Sequence, residues 1–84
     1  MTREEVLERI REHLSTELAI DPARIQPETR FKEDLEADSL DLVELVVELE
    51  DRYGIRIPDE QAARILTVGQ AADHVAAHAA ELEA

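Results

Sequence analysis

Cysteine is absent from this 84-residue chain, and Phe31 and Tyr53 are its only aromatic residues. Without cysteine there is no disulfide, no thiolate metal site and no cysteine nucleophile. With two aromatics, the core has to be aliphatic. Glycine occurs twice and proline three times, and there is no low-complexity linker and no internal repeat. No apolar run approaches the roughly 20 residues needed to cross a membrane. The opening Met1-Thr2-Arg3-Glu4-Glu5 is charged rather than apolar. The expectation is a soluble, cytoplasmic protein without a targeting segment. Positive charge is scarce as well: nine Lys and Arg stand against 21 Asp and Glu, a net charge of −12. That field repels nucleic acid and anionic membrane, and it leaves basic protein surfaces as the natural partners.

The length allows one domain, spanning 1–84. A domain of this size buries only about 60% of its unfolded surface, so modest stability is expected. Thr2-Arg3-Glu4-Glu5 fits a capping box that opens a first helix. Val6, Leu7, Ile10, Leu14 and Leu18 follow at helical spacing, and Asp21-Pro22 ends the helix near Ala19. From Ile20 to Ala37 no period is sustained. A loop this long has to pack or function, and Ile25, Phe31 and Leu35 are its inward anchors, with one helical turn expected at Pro22–Ile25. A second helix is predicted over Ser39–Tyr53, stopped by Gly54. Ile55-Arg56-Ile57-Pro58 reads as an extended connector. Asp59 is expected to cap a short third helix running to about Ile65. Thr67-Val68-Gly69-Gln70 resembles another capping box, and it opens a last helix with the stripe Val68, Ala72, Val75, Ala79 and Leu82. The predicted fold is all-α: a small bundle of three principal helices plus one short one, with a long loop between the first and second.

The second helix carries two apolar stripes. Leu42, Leu45, Val46, Leu49 and Tyr53 form one, which suffices to pack it. Leu40, Val43 and Val47 form another, bordered by Glu44, Glu50 and Asp51. An exposed apolar strip with a charged rim is the pattern of a protein-docking surface. Ser39 stands at the head of this helix. Asp38 before it is a good N-cap, because its carboxylate can accept the orphan amides of the first turn. No activating base lies nearby in sequence, so this is a serine that is acted upon.

Asp38-Ser39-Leu40, within Asp38-Ser39-Leu40-Asp41-Leu42-Val43-Glu44-Leu45 and followed by Tyr53-Gly54-Ile55-Arg56-Ile57-Pro58-Asp59-Glu60, resembles the acyl carrier protein family. With Thr67-Val68-Gly69 and the first-helix pattern, the resemblance covers essentially the whole chain. It implies a four-helix carrier whose Ser39 receives 4′-phosphopantetheine from a phosphopantetheinyl transferase. The thiol-ended arm then carries acyl groups as thioesters between acyl-transfer and fatty-acid-synthesis enzymes that present basic patches. By the same resemblance, Asp38, Asp41, Glu44, Glu50 and Asp51 are acidic docking positions, and Leu40, Val43 and Val47 are apolar ones. Asp41, Val43 and Glu44 look more like fatty-acid carriers than the polyketide and peptidyl branches. A polyketide or other acyl pathway is the alternative, and an unmodified acidic adaptor that binds a basic partner is another. A monomer is expected. The family usually has glycine three residues before the serine, where this chain has Glu36. Glutamate tolerates positive φ poorly, so Glu36 is expected at negative φ with its side chain in solvent.

A helix N-terminus suits a phosphodiester on Ser39, and the centre of helices 1, 2 and 4 is the expected shelter for an acyl chain. Other chemistries fit less well. An EF-hand register from Asp34 puts Ser39 where glycine is needed and Leu45 where glutamate is needed. His74 and His78 share a face of the last helix, but Val75 stands where a zincin needs glutamate. Hydrolase chemistry needs a base beside Ser39, and His13, His74 and His78 are remote. No metal site and no catalysis are expected.

Overall fold

Helix α1 spans Arg3–Leu18, and its opening follows from Thr2, whose Oγ1 accepts from the Glu5 amide at 3.2 Å. Val6, Ile10 and Leu14 are fully buried along one face. The helix stops at Ala19, which takes the left-handed conformation at φ 55°. A 3₁₀ turn at Pro22–Arg24 follows, with Asp21 Oδ1 accepting from the Ala23 amide. Then come α2 (Ser39–Tyr53), the one-turn α3 (Asp59–Ala62) and α4 (Val68–Glu83). In this computed structural model the described residues are 2–83, with side chains described up to residue 78. The side chains of the stripe positions Ala79 and Leu82 therefore lie outside those described. The predicted all-α bundle of three long helices and one short one is what forms.

The loop between α1 and α2 is ordered by anchors of two kinds. Ile25 and Phe31 are buried, and Leu35 is partly so. The main chain is also stitched to its neighbours. The Phe31 amide donates to the Leu66 carbonyl, the Val68 amide to Thr29 and the Gly69 amide to Pro27, at 2.7–3.1 Å. Arg11 Nε donates to the Ile25 carbonyl at 2.8 Å. Gly69 is needed where it stands, because a Cβ there would lie 2.8 Å from the Pro27 oxygen. The Thr67–Gln70 capping box closes in both directions: the Gln70 amide donates to Thr67 Oγ1, and Gln70 Oε1 accepts from Thr67 and Leu66.

Two expectations need correction. Asp59 does not cap α3; the N-cap is Pro58, with no side-chain hydrogen bond, and the helix ends at Ala62 rather than near Ile65. Glu36 sits at φ 55°, not at negative φ. Its neighbours force the geometry. The Ala37 amide donates to the Phe31 carbonyl at 2.9 Å and Ala37 is buried. One residue later Asp38 has to be extended, at φ −89° and ψ −179°, to cap α2. The left-handed residue joins these two constraints. The anchors outweigh a cost of about 1–2 kcal/mol for an L-residue in that region.

Candidate functional site

The head of α2 is closed by two aspartates. Asp38 Oδ1 accepts from the Asp41 amide at 3.0 Å, and Asp41 Oδ2 accepts from the Asp38 amide at 3.1 Å. This reciprocal cap satisfies two orphan donors at once. Ser39 is the first residue of the helix and is exposed. Its hydroxyl takes no part in the cap. Ser15, the other serine, is committed: its Oγ donates to the Ile20 carbonyl at 2.6 Å.

Down the outer face of α2 run Leu40, Val43 and Val47, which are 64%, 56% and 47% exposed. Together with Leu66 they are the exposed large apolar residues among those described. The inner stripe is buried at Leu45 and Leu49 and partly buried at Leu42, Val46 and Tyr53. Helix α2 is therefore not buried on two sides, and its second stripe is open to solvent.

The acidic rim divides by what each carboxylate does. Asp51 is exposed and makes no hydrogen bond or ion pair among the described residues. Asp38 and Asp41 hold the cap. Glu50 accepts from the Ile57 amide at 2.8 Å and pins the α2–α3 connector, so it has a structural duty besides any docking role. Glu44 faces Glu17 at the end of α1. A hydrogen bond shared with Glu17, and then the Glu17 charge, push the Glu44 carboxyl above the usual carboxylate range. Glu17, Asp41 and Glu44 form the one cluster among the described residues whose carboxylate oxygens lie within 4.8 Å of one another. Sequence reasoning missed Glu17, which comes from another helix. It also missed the second half of the cap, although Asp three residues after an Asp N-cap is a readable signal.

A cavity of about 660 Å³ opens between α2 and α3. Ser39 stands among its lining residues, with Leu42, Val46 and Leu49 from α2, Phe31 from the loop, and Ala62 and Ile65 beyond. Buried Leu45 of α2 and Ala71 of α4 also line it, whereas Val6, Ile10 and Leu14 of α1 and Ala72 and Val75 of α4, fully buried in the core, do not. The open space thus lies mainly on the α2–α3 side, where the one-turn α3 leaves the apolar face of α2 uncovered. No histidine lines this cavity. His74 and His78 stack on α4 with ring centroids 4.1 Å apart. Burial, and then the neighbouring His78, hold His74 below the usual imidazole range. No helix of the described residues is long and apolar enough to span a membrane.

An exposed serine on a capped helix thus adjoins an apolar cavity and an open apolar strip. Residues 8–75 match the family model described as a phosphopantetheine attachment site. The chain is 53% identical to an acyl carrier protein of Rubrobacter xylanophilus over 78 residues, covering 93% of this chain and 96% of that one. It is 43% identical to an acyl carrier protein of Thermosynechococcus vestitus, covering 89% and 93%. A solved structure of the acyl carrier protein from Enterococcus faecalis superposes with a TM-score of 0.80 at 41% identity, covering 93% of this chain and 99% of that one. The chain belongs to the acyl carrier protein family, whose members bear 4′-phosphopantetheine and are carriers rather than enzymes.

Proposed function

We propose that Ser39 is the attachment point of the 4′-phosphopantetheine arm and that the chain delivers acyl thioesters to fatty-acid-synthesis enzymes. The observation that carries this reading is the position of Ser39: exposed, on the first turn of α2, outside the hydrogen bonds of the cap, and at the wall of the α2–α3 cavity. The residues fit the group. A phosphodiester on Ser39 extends from the surface without breaking the Asp38–Asp41 cap. The bound arm supplies a thiol that forms thioesters. The chain's own side chains do the rest. Leu42, Val46, Leu49 and Ile65 offer apolar surface that shields a short acyl chain from water. Leu40, Val43 and Val47 offer a small apolar patch, and Asp51 and the head of α2 supply negative charge that speeds encounter with basic partner surfaces. A small contact with a charged rim suits a carrier that has to leave each enzyme after delivery. We place the protein in the cytoplasm, acting as a monomer.

The test is intact-mass spectrometry after incubation with coenzyme A and a broad-specificity phosphopantetheinyl transferase. The expected result is one phosphopantetheine on the wild-type chain and none on Ser39→Ala, with both giving the same circular-dichroism spectrum. An unchanged wild-type mass would favour an unmodified acidic adaptor, and modification of Ser39→Ala would move the site elsewhere.

A further inference from the structure

Glu36 combines a costly backbone with an idle side chain. It lies at φ 55°, where glycine is the undemanding residue. It is exposed, and its carboxylate makes no hydrogen bond or ion pair with any described residue. The loop around it does not need glutamate: the Ala37 amide bond to Phe31 and the Asp38 cap fix the turn through the main chain and the flanking residues. The other left-handed non-glycine residue among those described is Ala19, which carries no functional group. A strained position occupied by a charged side chain without an internal partner points to a role outside the fold.

We propose that Glu36 is a partner-recognition residue. Its carboxylate pairs with a lysine or arginine of the enzymes that act on Ser39, on the loop side of that serine. This inference rests on the carrier reading above. It adds to the α2 strip a contact three residues before the attachment point, so a partner grips the chain on both sides of Ser39. Charge complementarity names the occupant: an exposed carboxylate in a chain of net charge −12 attracts a cation from a basic protein surface.

The experiment measures loading of Ser39 by a phosphopantetheinyl transferase with coenzyme A for the wild type, Glu36→Gln, Glu36→Gly and Glu36→Lys, across a salt titration, alongside melting temperatures. Glu36→Gln keeps the shape and the strain and removes the charge. At low salt it should lose roughly two- to fivefold in kcat/KM, the worth of one exposed ion pair, with the loss carried by KM and vanishing at high salt. Glu36→Lys should lose more. Glu36→Gly should load as slowly as Glu36→Gln while melting at a higher temperature, which separates recognition from stability. Wild-type kinetics for Glu36→Gln at low salt would overturn the inference alone. Faster loading of Glu36→Gly than of Glu36→Gln would assign the effect to strain and overturn it equally. No loading of the wild-type chain would overturn the carrier reading and this inference with it.

Discussion

The two sides of this molecule are built to different standards. Where α1 meets α4, Val6, Ile10, Leu14, Ala72 and Val75 are fully buried in one cluster. The alanines of α4 let the two helices approach closely, and Arg3 pairs with Asp73 at the edge of the contact. Where α2 faces α3, an apolar wall borders a cavity of about 660 Å³, and α3 is one turn without a side-chain cap. The same aliphatic residue types make both sides. The difference lies in what opposes them: a long helix on one side, a four-residue helix on the other. One side supplies stability, and the other keeps open room beside Ser39.

The sharpest way to test that contrast is to truncate one residue on each side. Ile10→Ala should cost about 2–5 kcal/mol, as for a buried large-to-small change. Val43→Ala, on the exposed strip, should stay within about 0.5 kcal/mol. Urea unfolding of both variants measures the difference, and equal losses would erase the distinction between the sides.

Helix ends offer a cleaner comparison with a smaller effect. Ala19 ends α1 at φ 55° and Gly54 ends α2 at φ 64°, so the two C-caps share a geometry but not a residue. A Cβ at Gly54 would meet nothing within 4 Å, so its substitution is purely conformational. Ala19→Gly should stabilise by about 1 kcal/mol and Gly54→Ala should destabilise by a similar amount. Denaturant midpoints of opposite shift are the expected result.

The smallest effects concern protons. His74 titrates below its ordinary value in the fold, whereas the unfolded chain takes up the proton near pH 6.5. Its share of stability is whole above about pH 6.5 and declines as the pH falls below that, until the folded His74 titrates too. Glu44 runs the other way. Its raised value means the fold prefers the protonated form, so the Glu17–Glu44 contact opposes folding at neutral pH and is relieved as the pH falls through that value, above the usual 4.5. Melting curves should show His74→Gln flattening the decline below about pH 6.5. They should also show Glu17→Gln raising the melting temperature at neutral pH, most of all at low salt.

Much of this was legible in the chain. Asp38 and Gly54 bracket α2, and its two stripes separated the buried Leu45 and Leu49 from the open Leu40, Val43 and Val47. The signals that failed are those set by residues distant in sequence. Glu36 was expected at negative φ on its own preference, but Phe31 and the α2 cap dictate its turn. Glu17 meets Glu44 only because two helices fold against each other. Glu50 looked like rim alone until the connector placed the Ile57 amide beside it. The cavity was expected among the three long helices, because nothing local announces that α3 ends at Ala62.

The stitching of the long loop has one more consequence. Phe31 to Leu66, Val68 to Thr29 and Gly69 to Pro27 are bonds between main-chain atoms, which every residue but proline can supply in full. Away from the anchors Ile25, Phe31, Leu35 and Ala37, the side-chain bonds of Asp21, Thr29 and Asp34, and the close approach at Gly69, the loop therefore keeps its path largely whatever side chains it displays. Its outward positions form a writable surface beside Ser39. Charges there can be altered to attune the carrier to one enzyme or another while the bundle beneath stays as it is.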